Sequence, residues 1–565
     1  MSSITQLEDT VRGLLEVTIN PSLDDPYAQL ADLNSVIETV ESLLTKLILH
    51  RAPLKSKING FNSPIIQLLP AEVVSDIFEF CLPDFYTFDA KCEIQPVSVT
   101  PFLLGAICRR WREIAWTTPS LWSRLHLHFS GQNFRSLTDL AEQWLLRSGE
   151  LPLSIRVSCE PKSSSKTALF VAAKEQLIAL IKVFNLYSVR WINLDIRIPT
   201  SFFEYFALGG LHTSSLESLY IDPPDGQSDN GHTIWFQSSP LLKKVHLSSV
   251  YLKSIQAQWD NITHVYASSF YVDECLQIIE RSPRLICCKF SVIIGGEAPY
   301  PMPDAPLVAQ SLRFLHVGHE RSVSAAFFFD KLTLPALEEF IYEASEKNIE
   351  LPSFLSLLER SSCQLQAFTL KHTEVSEDDF ISLLERMPTL RRLTIDIHNL
   401  AVPILRNPVL ERLYTPSTTK GGSGQYILPA LERLQYEGPQ SFSWINLVNA
   451  LMRRADFHFT TKDSETTPNE ESSTSRPPIL QAAKISLTSL APNSNPLDES
   501  VLPHFFPIIE QQTYLEISVV NHEKDLLENK LQESLPDELP RYLALRQKMH
   551  ASHVDPFSTA NNWGV

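Results

Sequence analysis

The apolar positions of this chain begin with a helical period and end with a strand period. Leu30, Leu33, Ile37, Val40, Leu44 and Leu47 recur at spacings of three and four, which predicts one helix over residues 27–51 with an a/d seam. That seam is expected to pack back on its own chain, with a homodimer through residues 27–51 as the alternative. In "LPAEVVSDIFEFCLPD", Val73, Val74, Ile77, Phe78, Cys81 and Leu82 share one face. Pro70 suits the first turn of that helix and Pro83 stops it. A second helix is predicted through "LLGAICRRWREIAW", with Leu103, Leu104, Ile107, Cys108, Trp111, Ile114 and Ala115 on one side. Arg109, Arg110, Arg112 and Glu113 stay in water. "TTPSLW" restarts a short third helix, capped by Thr118 with Pro119 at its first position.

Three of the chain's 9 tryptophans, Trp111, Trp116 and Trp122, fall in this one stretch. Helices so short bury only part of faces so wide, so the surplus must meet the rest of the chain or a partner. "LPAEVVSDIF" followed by "LLGAICRRWREIAWTTPSLW" resembles the F-box family over residues 63–125: a Leu-Pro-x-Glu opening, a Cys-x-x-Trp in the second helix and a closing Pro-x-Leu-Trp. The resemblance implies a helical module that binds the Skp-type adaptor of a cullin–RING ubiquitin ligase. Carried onto this sequence, the adaptor-binding set is Leu69, Pro70, Glu72, Val73, Ile77, Phe78, Leu82, Leu104, Cys108, Trp111, Leu121 and Trp122. Trp111 would wedge between helices, Leu121 and Trp122 would close the module, and Trp116 would face the following domain. The stretch from Asp84 to Pro101 is longer than a compact F-box needs.

Downstream the chain repeats itself. "SPLLKKVHL", "SPRLICCKF", "LPALEEFIY", "MPTLRRLTI", "NPVLERLYT" and "LPALERLQY" share one template, with looser copies between them. Its first apolar position falls at Leu216, Leu242, Ile262, Leu285, Leu312, Leu337, Leu365, Leu390, Leu410 and Leu431. The mean period of about 24 residues lies in the range of leucine-rich repeats, which the pattern resembles. "VRWINLDI" is read as an earlier unit. "CLQIIERSP", "FLSLLERSS", "FISLLERMP" and "LVNALMRRA" read as short helices on the convex side. No unit can bury its own apolar face, so neighbours must stack. The asparagine expected after the strand leucines is absent, with Val250 in that place in one unit, so the turn ladder must differ. Strand alternation points the third and fifth template positions away from the buried leucines. The third column carries Arg392, Arg412 and Arg433, which would stack in a row and suit an acidic or phosphorylated ligand, or else pair with acids such as Asp396 and Glu437. The fifth carries Tyr220, His246, Tyr266, His316 and Tyr414, rings that suit protein recognition.

Composition narrows the function more than the fold. A formal charge of −17 argues against binding nucleic acid through its phosphates. The 8 cysteines form no C-x-x-C pair and no disulfide framework, so reduced thiols in the cytoplasm or nucleus are expected. The amino terminus lacks the pattern of a signal peptide, and no apolar run is long enough to span a membrane. "KGGSGQ" at 420 lacks the surroundings of a phosphate loop. His126 and His128 share one face of a strand without a third metal ligand, and Asp378 and Asp379 open a helix. No catalytic constellation, metal site or cofactor site stands out. Residues 461–478 are polar and read as a disordered insertion, in which Thr467 precedes Pro468.

The expected fold class is α/β: a helical F-box followed by an irregular solenoid of parallel strands with convex helices. The expected divisions are a helical segment over 1–62, an F-box domain over 63–130, a repeat solenoid over 131–522, and a polar helical cap and tail over 523–565. The expected role is that of a non-enzymatic substrate receptor, with a scaffold acting outside any ligase as the alternative.

Overall fold

The computed structural model describes residues 26–62, 68–82, 100–129, 134–159, 167–206, 213–227, 231–236, 238–295, 300–320, 323–398, 403–416, 426–453, 480–488, 501–511, 513–519 and 525–552, with Gly13 and Leu497. Residues 84–99, the glycine-rich run after Lys420 and the 461–478 insertion lie outside them. Contacts divide the chain into two units, Met1–Arg124 with Glu142–Leu151, and Leu125–Ala141 with Pro152–Val565.

The first unit is helical. Its first described helix spans Pro26–Asn62, eleven residues past the expected end. It runs through Pro53, whose missing N–H leaves one carbonyl without its helical partner. The expectation that its seam packs on the chain is not met: Leu30, Leu33, Ile37, Val40, Leu44 and Leu47 are all exposed. The Ala71–Cys81 helix follows Pro70, and its Val74 and Phe78 are buried. The predicted second helix is two helices, Pro101–Ile107 and Arg109–Thr117, separated by Cys108 in extended backbone at φ −155°. Thr100 caps the first by accepting from Leu103 N, and the Cys108 thiol caps the second by accepting from Trp111 N at 3.4 Å. The break rotates Leu103 and Ile107 outward while Leu104, Ile114 and Ala115 stay inside.

Large rings close this unit. Phe102 lies 5.8 Å from Trp116, 5.3 Å from Trp122 and 5.5 Å from Trp144, and Trp122 lies 5.4 Å from Trp116 and 5.0 Å from Trp144. All five contacts are edge-on, the geometry the ring quadrupoles favour. Trp122 donates its indole N–H to the Ala115 carbonyl at 2.7 Å, and the Arg147 guanidinium sits 5.1 Å over its ring. Gly105 must lack a side chain, because a Cβ there would collide with the Trp116 ring.

The second unit is a strand solenoid. Fourteen strands form one sheet whose spatial order is their chain order, from Arg124–Phe129 to Tyr514–Val519. The neighbouring pairs from Leu153–Cys159 onward are parallel. Each new strand therefore adds at the growing edge, the signature of a repeat architecture. In Lys244–Ser248 the two faces alternate, Val245 and Leu247 buried and Lys244, His246 and Ser248 half-buried, whereas Ser218–Ile221 is buried on both faces. The helices read from sequence are present at Val272–Arg281, Leu351–Ser361, Glu377–Glu385 and Trp444–Met452. They bury Leu276, Phe354, Phe380 and Leu447. The strand from "VRWINLDI" is Trp191–Arg197, and the last helices, Leu526–Ser534 and Leu539–Ser552, follow the final strand.

The repeated leucines have a turn to explain them. In five units that carry a proline the amide of the repeated leucine donates to the carbonyl three residues back: Leu242 to Ser239, Leu285 to Ser282, Leu337 to Leu334, Leu390 to Met387 and Leu431 to Leu428; Leu216 and Ile262 make the same bond without one. Proline occupies the second position of those five turns, where its fixed φ costs nothing. The residue after the leucine begins a backbone ladder in place of an asparagine one. Glu217 N donates to Ile192 O, Lys243 to Glu217, Thr263 to Lys243, Ile286 to Thr263, Arg313 to Ile286 and Glu338 to Arg313. It continues through Gln366, Arg391, Glu432 and Gln481 to Tyr514, each rung 2.7–3.0 Å.

"NPVLERLYT" is the exception. It forms a helix, Asn407–Tyr414, with Pro408 in its first turn, and Leu410 N donates four residues back, to Arg406 O. The ladder passes over it, from Arg391 directly to Glu432.

Candidate protein-binding surfaces

The helical unit sorts its apolar side chains into a packed inside and an uncovered outside. Phe78 is 0% exposed, its ring 4.8 Å from Trp111; Leu104, Leu121 and Trp122 are buried as well. These four, expected at an adaptor interface, are core side chains and are withdrawn from any partner. Ser120 donates to the Glu79 carboxylate, tying the Ala71–Cys81 helix to the closing turn. Leu69, Leu82, Cys108 and Trp111 are half-buried, and Cys108 serves as the cap between helices. Pro70, Glu72, Val73 and Ile77 are exposed.

Beside them are apolar groups that the sequence reading did not select for binding: Leu68, Phe80, Leu103 and Ile107, with Phe80 at 91% exposure. A helical period fitted through the break at Cys108 placed Leu103 and Ile107 inside. Phe80 lies off the apolar stripe of Val74 and Phe78. Its helix buries only Val74 and Phe78, so the large ring of Phe80 is left on the side away from that packing.

The open face of the sheet carries a ladder of rings. Strand register places Arg156, Asp195, Tyr220, His246, Tyr266, Lys289 and His316 side by side on successive strands. Tyr220 stacks on His246 at 4.0 Å and His246 on Tyr266 at 5.9 Å. Arg197 lies 4.4 Å over the Tyr220 ring and is fixed by Asp195 at 3.0 Å, which also binds Arg156. Burial pushes the His246 imidazole down to about 3, and the nearby cations Arg197 and Lys289 push the same way. The ring in the middle of the ladder is therefore neutral, and its stacking does not depend on charge. Burial raises the Tyr220 and Tyr266 phenols, so both remain protonated. His316 is lowered by burial although it meets Glu343 at 3.2 Å.

The arginine row is shorter than its sequence spacing suggested. Arg392 and Arg433 are direct neighbours in register. Arg392 reaches Glu339 at 3.1 Å, and Asp396 binds His398 instead. Arg412 belongs to the Asn407–Tyr414 helix, where it meets Glu385 at 2.6 Å, and Tyr414 in the same helix donates to Asn446 at 3.1 Å. Neither belongs to a strand column. A proline that opens a helix and a proline in a turn leave the same mark in sequence, and that equivalence misplaced both.

Among the described residues one group could hold a metal ion: His372, Asp396 and His398, with ligand atoms within 4.8 Å of one another. His372 reaches it because its backbone is left-handed at φ 52°, which turns both Lys371 and His372 to the open face. Asp396 already accepts the His398 Nδ1 hydrogen bond at 2.7 Å, and this pair raises the His398 imidazole. Strand pairing sets Lys371 beside Asp396, and the left-handed His372 that follows brings in the ligand that sequence spacing does not place with Asp396 and His398.

No family model matches the chain, and no curated protein matches it. Among solved structures it is similar to a chain of the complex of Rad7 and Elc1 in yeast, at 10% identity over 75% of this chain and 95% of that one. The TM-score of 0.25 makes this a faint likeness. Among the described residues no helix is long and apolar enough to cross a membrane.

Proposed function

We propose that the chain is a substrate receptor: its helical unit docks on the Skp-type adaptor of a cullin–RING ubiquitin ligase, and its strand solenoid holds a target protein. One observation carries this reading. A unit whose inside is filled by Phe78, Leu121 and Trp122 still leaves Val73, Ile77, Phe80, Leu103 and Ile107 uncovered. Large apolar anchors on short helices are what a groove on another protein recognises. The F-box motif of Leu69–Pro70 through Leu121–Trp122 supplies the identity of that partner. The target-binding surface in this reading is the open face at His246 and Tyr266, with Arg197 and Lys289 beside them and Arg392 and Arg433 further along; Tyr220, expected there, is buried at 8% exposure and only backs the stack. Its rigid, stacked rings offer contact area at low entropic cost. The chain performs no transfer chemistry; it raises the local concentration of target lysines.

The test is a pull-down of purified Skp-type adaptor by the full chain. Ile77→Asp with Phe80→Asp should abolish binding while the circular dichroism spectrum stays unchanged, since both side chains are on the outside. Adaptor binding by the double variant at the native level would defeat the reading.

A further inference from the structure

The Pro26–Asn62 helix leaves an uncovered apolar seam longer than the helical unit needs. The helix has 37 residues, about 56 Å at the α-helical rise. Leu33, Ile37, Val40, Leu44, Leu47 and Leu54 stay on one a/d register, each 41–61% exposed. The register continues to Ile58, and Arg51 is the charged residue it takes in. A lone helix with such a seam is marginal in water and gains most by covering it.

The charges of the helix say what covers it. From residue 26 to 45 the only charged side chains are Asp32, Glu38 and Glu41, all acidic. From residue 46 to 62 they are Lys46, Arg51, Lys55 and Lys57, all basic. The helix's own dipole does not account for this division, because its first turn holds no acid and its last turn no base. A parallel pair would set acid on acid, base on base, and Arg51 on Arg51. An antiparallel pair sets each acidic half on a basic one.

We infer that two copies of this chain associate through an antiparallel pairing of their Pro26–Asn62 helices. Overlap of residues 29–62 puts Leu44 opposite Leu47 of the second copy and Ile37 opposite its Leu54. Arg51 then lies opposite Val40, within reach of Glu41. The inference is independent of the adaptor reading, since none of these residues belongs to the F-box motif.

Sedimentation equilibrium of the full chain tests it. The expected result is a dimer that dissociates on dilution and weakens as salt rises, because the flanking charges attract. Leu44→Asp with Leu47→Asp should give a monomer. Lys55→Glu with Lys57→Glu should weaken the dimer about tenfold, and adding Glu38→Lys with Glu41→Lys should restore it. A monomer up to roughly 100 µM would overturn the inference, as would a dimer untouched by the two leucine changes. A dimer that tightens with salt and ignores the charge reversals would be parallel, and would overturn it too.

Discussion

In the helical unit a single side chain, Trp122, joins three other rings and a backbone carbonyl. In the solenoid the equivalent task falls to a backbone rung repeated from Ile192 to Tyr514. A small unit with little volume gains specificity from the fit of a few large groups, whereas a repeat gains it from a bond that any residue except proline can donate. The first arrangement fails all at once and the second fails locally.

The largest expected effect tests that contrast directly. Trp122→Ala removes the centre of the ring cluster and should cost about 3–5 kcal/mol. Loss of protection across residues 71–82 and 100–122 in hydrogen exchange would report it, because no second ring can fill the gap. Leu365→Ala in the solenoid should cost about 2–4 kcal/mol and loosen mainly the units beside it. Exchange that rises uniformly along the whole sheet after Leu365→Ala would break the comparison.

A smaller effect concerns pH. His246 is held near 3 in the fold against an ordinary value of 6.5, so the unfolded chain binds the extra proton between those limits. Its contribution is complete above about 6.5 and is lost as pH falls toward 3. Denaturant midpoints measured from pH 7 to pH 4 should drop less steeply in His246→Gln. Equal slopes would show that the ladder's central ring is not shielded as its burial indicates. The smallest effect is at the turns: Pro388→Ala should destabilise by about 0.4–1 kcal/mol through the unfolded chain alone. Thermal melting would detect it as a small shift with no change in the strand signal.

Much of this architecture could be read from sequence because it is periodic. The helices of "CLQIIERSP" and "FISLLERMP" and the strands on either side of them follow from apolar spacing, and the repeated leucines at 216, 242 and 285 are buried as expected. What failed had a physical reason in each case. Leu410 looked like a strand leucine because Pro-x-Leu marks both a turn and a helix start, and only the hydrogen bond, three or four residues back, separates them. Cys108 broke a helix that periodicity alone would continue, and the break reversed Leu103 and Ile107. The ring ladder was legible as far as Tyr266 because strand register is regular there. The His372–Asp396–His398 group was hidden because it depends on one left-handed residue.

The rung from Arg391 to Glu432 crosses 41 residues of chain, whereas Lys243 and Thr263 are 20 apart. What the sheet demands of each unit is one amide and one carbonyl at the entry to a strand, and it sets no length on the chain between them. Segments can therefore be spliced in, shortened or exchanged between rungs without disturbing the neighbours. Novelty in such a molecule can accumulate in its intervals while its edges keep a constant step.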